Sequence, residues 1–387
     1  MSIPPQTLNI PTKQMLAFLS LLAVATAQQV SMPSQPYYEH TYEELKEMGL
    51  LQRLVTYNWK LELVTVSFTL FYLLTHFLGA SYNARLVSKW VSSAEEVLDK
   101  QFASLGCSVK ENVVKDDNEH YTYFATGRKN IESLTVRFTL KPRHNLLLLV
   151  SETILAFFIT SIEQSVDSVN ITVKYSSDAE SNVDDFIWAI VNKDGMNQAR
   201  IENYFLSLTK TSESSKLPTE YVFMSETADI TEEVYNESEN SGLTSSPTLL
   251  KYVAFTDQSI VKPTTLEEAA SSKKAILYTS FPTTASELKA NQDLLTSFLS
   301  LVDNVVENVK FRPETLKRVK KTREAETQKI KKALEEVQKE ELENKRVEEQ
   351  RKERERIAKL SPEEQRKIEK KRQEKKQRKQ MKQQRVR

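Results

Sequence analysis

The chain has 387 residues and an almost balanced charge, 54 Lys+Arg against 53 Asp+Glu for a formal net +1. The balance hides a split: Arg366 to Arg387 carries twelve Lys/Arg against Glu369 and Glu374, net +10, which leaves −9 on everything before it. A single cysteine, Cys107, excludes an intrachain disulfide and points to a reducing compartment for the bulk, and the six glycines form no phosphate cradle.

Residues 1–27 read as a signal peptide. Lys13 supplies a thin positive start, Met15 to Val24 (MLAFLSLLAV) an apolar core too short to cross a bilayer comfortably, and Ala25-Thr26-Ala27 a small-x-small cleavage pattern. A short luminal segment follows over 28–60, with Glu39, Glu43, Glu44 and Glu47. Residues 61–80 are expected to form a transmembrane helix, built on LVTVSFTLFYLLTHFLGA from Leu63 to Ala80 with His76 as its one ionisable group. Trp59 and Tyr82 sit at its two ends, where interfacial aromatics are favoured. A buried core helix is the competing reading of both apolar segments.

With the signal removed, the chain is single-pass type I, with its C-terminal domain cytosolic; with the signal retained, two spans leave the C-terminus on the same side. Arg85 and Lys89, just past the span, agree with that orientation. The sequons Asn170-Ile171-Thr172 and Asn236-Glu237-Ser238 would then go unused, and sugar at Asn170 would place the folded part in the lumen instead.

Residues 81–312 read as one α+β domain. Leu86, Trp90, Val97, Leu98 and Phe102 have helical spacing. A hairpin follows, from Tyr121 to Ala125 through a Gly127-Arg128-Lys129-Asn130 turn into alternating Leu134, Val136, Phe138 and Leu140. Further strands are predicted at Val169 to Tyr175, Phe186 to Val191, Tyr221 to Met224, Tyr252 to Phe255 and Ile276 to Ser280. Helices are predicted near Asn197 to Leu208, Thr231 to Tyr235 and Ser286 to Val309. Leu146 to Thr160 (LLLLVSETILAFFIT) is short for a span, and Glu152 at its middle would cost about 2.5 kcal/mol or more in lipid. It is expected to be a buried or membrane-surface helix.

Residues 313–387 form a charged helical tail. Glu and Lys recur at i,i+3 and i,i+4, while Ile330, Leu334 and Val337 begin an apolar seam that Leu342, Val347 and Ile357 do not continue, so at most a short zipper is expected. Ser361-Pro362-Glu363-Glu364 reads as a second helix start, with Ser as N-cap and Glu364 closing a capping box. The basic end that follows presents Arg366, Lys367, Lys370, Lys371, Arg372, Lys375, Lys376, Arg378, Lys379, Lys382, Arg385 and Arg387. Without aromatics to stack on bases, this end suits salt-sensitive phosphate contacts rather than sequence reading; anionic lipid and plain solvation compete.

No catalytic constellation emerges. His40, His76, His120 and His144 are scattered, Cys107 has no CxxC partner, and there is no GxSxG elbow or P-loop. Asp116-Asp117 and Asp184-Asp185 are adjacent carboxylates expected in loops. A non-enzymatic role without a cofactor or metal is expected.

Four stretches resemble the calumin-type coiled-coil ER membrane proteins, the larger subunit of the PAT intramembrane chaperone complex. They are SYNARLVSKWVSSAEEVLDKQFASLG (Ser81 to Gly106), DFIWAIVNKDGMNQARIENY (Asp185 to Tyr204), LPTEYVFMSETADITEEV (Leu217 to Val234) and EKKRQEKKQRKQMKQQRVR (Glu369 to Arg387). The similarity runs from about Leu54 to the end. It implies a chain of the endoplasmic reticulum membrane that pairs with a small multi-spanning partner of the Asterix type and shields nascent multi-pass membrane proteins at the ribosome-bound Sec61 translocon. Pro313 to Leu360 would be the reaching helix and Arg366 to Arg387 its rRNA-contacting end. The luminal piece lacks the long acidic segment of animal relatives and any EF-hand loop, which speaks against calcium binding. The competing function is a general ER tether whose tail binds anionic lipid or other cytosolic partners.

Overall fold

A computed structural model describes residues 57–107, 112–159, 164–236, 241–244 and 247–358, together with 41–47 and positions 49, 51, 54, 374, 377, 378 and 381. The signal peptide, most of the luminal segment, the helix start at Ser361 and all of the basic end except Glu374, Gln377, Arg378 and Met381 lie outside the described residues. The chain divides into two units, Met1–His76 and Phe77–Arg387.

The first unit holds a short helix, α1 (Tyr42–Glu47), and the beginning of α2 (Lys60–Leu98). The Asn58 side chain accepts from the Lys60 amide at 3.3 Å, and the Trp59 indole donates to the Leu54 carbonyl at 2.7 Å. Beyond that start, Leu63, Val66, Phe68, Leu70 and Leu73 are exposed. Thr65 and Thr69 turn their hydroxyls onto the carbonyls of Glu62 and Thr65, at 2.9 and 2.8 Å, so these polar groups are satisfied inside the helix. Among the described residues, α2 alone is long and apolar enough to cross a membrane.

The helical spacing read from Leu86 onward belongs to the same helix as the apolar stretch before it. α2 is one helix of 39 residues, because Ser81 to Arg85 contains neither Pro nor Gly and nothing stops the hydrogen-bond ladder. Its character changes in the second unit, where Leu86, Val87, Trp90, Val91, Ala94 and Leu98 are buried at i,i+4 spacing.

The second unit is built on ten strands: β1 (Ser104–Leu105), β2 (Val113–Lys115), β3 (His120–Arg128), β4 (Ile131–Thr139), β5 (Ser168–Tyr175), β6 (Trp188–Asn192), β7 (Lys210–Ser212), β8 (Tyr221–Ser225), β9 (Leu250–Thr256) and β10 (Lys274–Ser280). They form one sheet in the order β1-β3-β4-β5-β10-β9-β6-β8-β7, with β2 also on β3, and the paired neighbours are antiparallel. The predicted hairpin is β3–β4; Gly127 sits there at φ +92, and a Cβ on it would come within 2.7 Å of the Ala103 side chain.

Alternation divides the sheet's two faces. One face (Tyr123, Val136, Ile171, Leu277, Val253, Trp188 and Phe223) meets the buried side of α2, α7 (Ala228–Val234) and α8 (Ala285–Glu307) in the main core. Trp90 of α2 stacks edge-on against Phe138 at 5.0 Å, and Gln292 of α8 donates to the Ser93 carbonyl at 2.7 Å, which sets the two helices side by side. α8 begins with a complete capping box, Thr284 with Glu287.

On the opposite face, α5 (Met196–Glu202) and α6 (Tyr204–Ser207) cover β6, β8, β9 and β10 through Ala199, Phe205 and Leu206 over Ala189, Met224, Ala254 and Ile276. The predicted single helix Asn197 to Leu208 is therefore two, because the Asn203 side chain donates to the Ala199 carbonyl at 2.9 Å and ends the first. A short α4 (Ser177–Asn182) completes this unit's smaller helices. The α+β class holds, with an antiparallel sheet and one candidate apolar helix.

Candidate interaction site

Two helices of the second unit, Leu146–Phe158 and Pro313–Ala358, present chemistry outward. α3 (Leu146–Phe158) is started by Asn145, whose side chain accepts from the Leu148 amide at 3.1 Å. None of its residues is buried, so of the two expected readings, buried or membrane-surface, the buried one is set aside: α2, α7 and α8 fill the main core, and α3 stands outside it.

α9 (Pro313–Ala358) runs for 46 residues, about 69 Å at 1.5 Å per residue. Its first turns are docked on the body. Thr315, Val319 and Ile330 are buried, and the Thr315 hydroxyl donates to Asp229 at 3.1 Å. Ile330, the first residue of the seam from which at most a short zipper was expected, is thus buried against its own chain. Further along, Val337, Leu342 and Val347 are exposed.

At the centre of the docked part is Arg323. Its Nε and Nη2 donate to the two oxygens of Asp257 at 2.8 and 2.7 Å, and its Nη1 and Nη2 to those of Glu226 at 2.8 and 3.0 Å. The topology explains the pair. Glu226 and Asp257 directly follow β8 and β9, which flank β6 on either side and run antiparallel to it, so both carboxylates emerge where β6 begins. Glu226 also accepts from the Ile187 amide at 3.2 Å, and Gln258 donates to Asp257 at 2.9 Å.

The two carboxylates are buried, with the Glu226 side chain 5% and the Asp257 side chain 2% exposed, and Arg323 is partly buried at 16%. Burial pushes the Glu226 carboxyl up, Arg323 pulls it back in part, and neighbouring Asp257 opposes its ionisation. Burial disfavours the Arg323 cation, but the two carboxylates outweigh it and hold the guanidinium charged. One turn on, Glu326 accepts from the Tyr204 hydroxyl at 2.8 Å. Nothing in the sequence singled out Arg323 among the many basic residues of this stretch.

Of the twelve basic residues assigned to the tail's end, Arg378 is described; it is helical and exposed. Arg366, Lys367, Lys370, Lys371, Arg372, Lys375, Lys376, Lys379, Lys382, Arg385 and Arg387 lie outside the described residues.

The paired carboxylates have structural partners. Asp116 accepts from Thr122, Asp117 from the Glu119 and His120 amides, Asp184 from the Phe311 amide, and Asp185 faces Lys273. His120 lies 2.9 Å from Asp117 and His144 lies 3.8 Å from Glu119. No cluster of three His, Cys, Asp or Glu able to hold a metal occurs among the described residues. Two clefts, one lined by Phe186, Phe255 and Lys273 and one by Asp229, Phe311 and Thr315, hold only about 10 and 30 Å³, far below the roughly 300–1,000 Å³ of ordinary small-molecule sites.

Comparison with known proteins places this architecture. The family model described as PAT complex subunit CCDC47 matches residues 58–379. A UPF0674 endoplasmic reticulum membrane protein of Saccharomyces cerevisiae is 29% identical over 344 residues, covering 81% of this chain and 85% of that protein. A UPF0674 endoplasmic reticulum membrane protein of Schizosaccharomyces pombe is 26% identical, covering 79% and 84%. The PAT complex subunit CCDC47 of Danio rerio is 23% identical, covering 65% of this chain and 54% of that protein.

Proposed function

The chain belongs to the PAT complex subunit CCDC47 family, and from that premise we propose that it is a non-enzymatic subunit of an ER intramembrane chaperone complex. In this reading it joins a small multi-spanning partner of the Asterix type beside the ribosome-bound Sec61 translocon and assists insertion and folding of multi-pass membrane proteins. Its relatives are named as endoplasmic reticulum membrane proteins, and the one candidate span among the described residues is consistent with that address. The type I orientation, with the second unit cytosolic, belongs to the same proposal.

The observation that carries it is the root of α9. A tail meant only as a solvated charge run needs no anchor, yet Arg323 is held by four hydrogen bonds to two buried carboxylates. The helix so held leads to the segment with net +10. Such a segment beside the ER has rRNA phosphate as a large target, and its binding should weaken steeply with salt.

The test is sedimentation of detergent-solubilised rough microsomes containing the full chain or a chain ending before Arg366. The full chain is expected to travel with ribosome–translocon complexes, and the shortened chain to be released at lower salt. Co-migration unaffected by the deletion removes the role given to the basic end. Equal binding to anionic liposomes without ribosomes favours the general tether.

A further inference from the structure

α3 has thirteen residues, LLLLVSETILAFF, and Leu147, Val150, Ile154, Leu155, Phe157 and Phe158 all lie exposed, Phe157 at 84%. At about 20 Å it is too short to cross a hydrocarbon core of roughly 30 Å. A helix that packs in a protein groove has one apolar stripe, whereas one that is apolar all round belongs in a surrounding apolar medium. The less exposed stripe, Leu146, Leu149, Glu152 and Ala156, is where its only charge is placed, and Glu152 accepts there from the Ser165 hydroxyl at 2.6 Å. The outward hydroxyls of Ser151 and Thr153 donate back to the carbonyls of Leu148 and Leu149, both at 2.8 Å, so they bring no unmet polar demand into an apolar medium.

The place where α3 is tied down is as informative as its composition. A Cβ built on Gly79 of α2 would lie 2.2 Å from the Arg143 carbonyl oxygen, so the backbone just ahead of α3 runs directly against α2 at the end of its apolar stretch. Arg143 donates to the buried Asn83 of α2 at 3.0 Å, its guanidinium lies 5.3 Å from the centre of the Tyr82 ring, and it bonds Asp167, beyond the far end of α3, at 2.8 and 2.5 Å. Both ends of the excursion that carries α3 are therefore pinned to residues 79–83, where aromatic Tyr82 and then exposed Arg85 and Lys89 follow the apolar run.

We infer that α3 is a monotopic membrane element, immersed among the lipid headgroups and upper acyl chains of the leaflet that faces the second unit, and not a docking helix for another protein. This rests on the reading of Leu63 to Ala80 as a bilayer span. A short helix whose exposed side is largely apolar and whose one charge lies on the less exposed stripe, held at the exit of a span with basic residues alongside, suits the boundary layer of a bilayer containing anionic lipid.

The experiment uses the full chain with Cys107→Ser, reconstituted in phosphatidylcholine–phosphatidylserine vesicles. Single cysteines are introduced as Phe157→Cys, Leu70→Cys or Val261→Cys, all at exposed positions, and labelled with an environment-sensitive fluorophore. The label at position 157 is expected to shift to the blue and to lose most of its emission to brominated lipid, as at position 70, while position 261 is quenched by aqueous iodide. A label at 157 quenched by iodide while position 70 is quenched by lipid overturns the inference and leaves the span standing. A label at 157 shielded from both quenchers shows a protein cover and also overturns it. Iodide quenching at position 70 removes the span, and the inference with it.

Discussion

Two stretches of α9 are made of the same residue types and behave as different materials. In its first turns Arg323 is partly buried and bonded to the buried Glu226 and Asp257, while Lys352 and Glu348 further on form a 2.8 Å pair in water. A charge in water gains little from a partner, because solvent already stabilises it. A charge taken out of water depends on its partner for nearly everything. Composition cannot tell the two apart, and the difference decides which half of the helix is part of the fold.

The largest expected effect comes from breaking the buried half of that contrast. Arg323→Met leaves two carboxylates without their cation and should destabilise the second unit by about 3–5 kcal/mol in urea unfolding. An unchanged midpoint would mean that the helix root is not docked as described. Ile330→Ala, on the same docked part, should cost about 2 kcal/mol by thermal melting, the lower end for deletion of a buried aliphatic side chain at a helix–body contact.

A smaller, pH-dependent effect should come from Glu226. Its folded carboxyl is raised above the ordinary value of 4.5, chiefly by burial, so the folded state keeps this proton longer than the unfolded chain. Stability from this group is present below 4.5 and declines as pH rises through the folded value. Glu226→Gln should flatten that decline in a series of melts across mildly acidic pH; an unchanged slope would assign it to other groups. At the small end, Lys352→Ala should leave the melting temperature where it is, and a measurable drop would show that the outer half of α9 is also held by its charges.

Much of the fold was legible because burial imprints a period. β3 to β6 and β8 to β10 carry alternation or dense apolar runs, and Leu294, Leu295, Phe298, Leu299, Val302 and Val306 mark one face of α8. β1, β2 and β7, two or three residues long, have no room for a period, and α4, SDAESN, buries only Ala179. The family was legible from its motifs, whereas the anchor of the tail was not. Glu226 and Asp257 meet Arg323 only after three strands have aligned their ends, and no spacing along the chain encodes that meeting.

The sequon at Asn170 acquires a different meaning from its position. It lies in β5, hydrogen-bonded to β4 on one side and β10 on the other, with Ile171 buried in the main core. An oligosaccharide-transferring enzyme needs this tripeptide as a free, flexible acceptor, and the finished sheet withholds it in any compartment. Absence of sugar there is expected on either side of the membrane once the sheet has closed, so the side is better read from an acceptor tripeptide engineered into the exposed stretch around Val261.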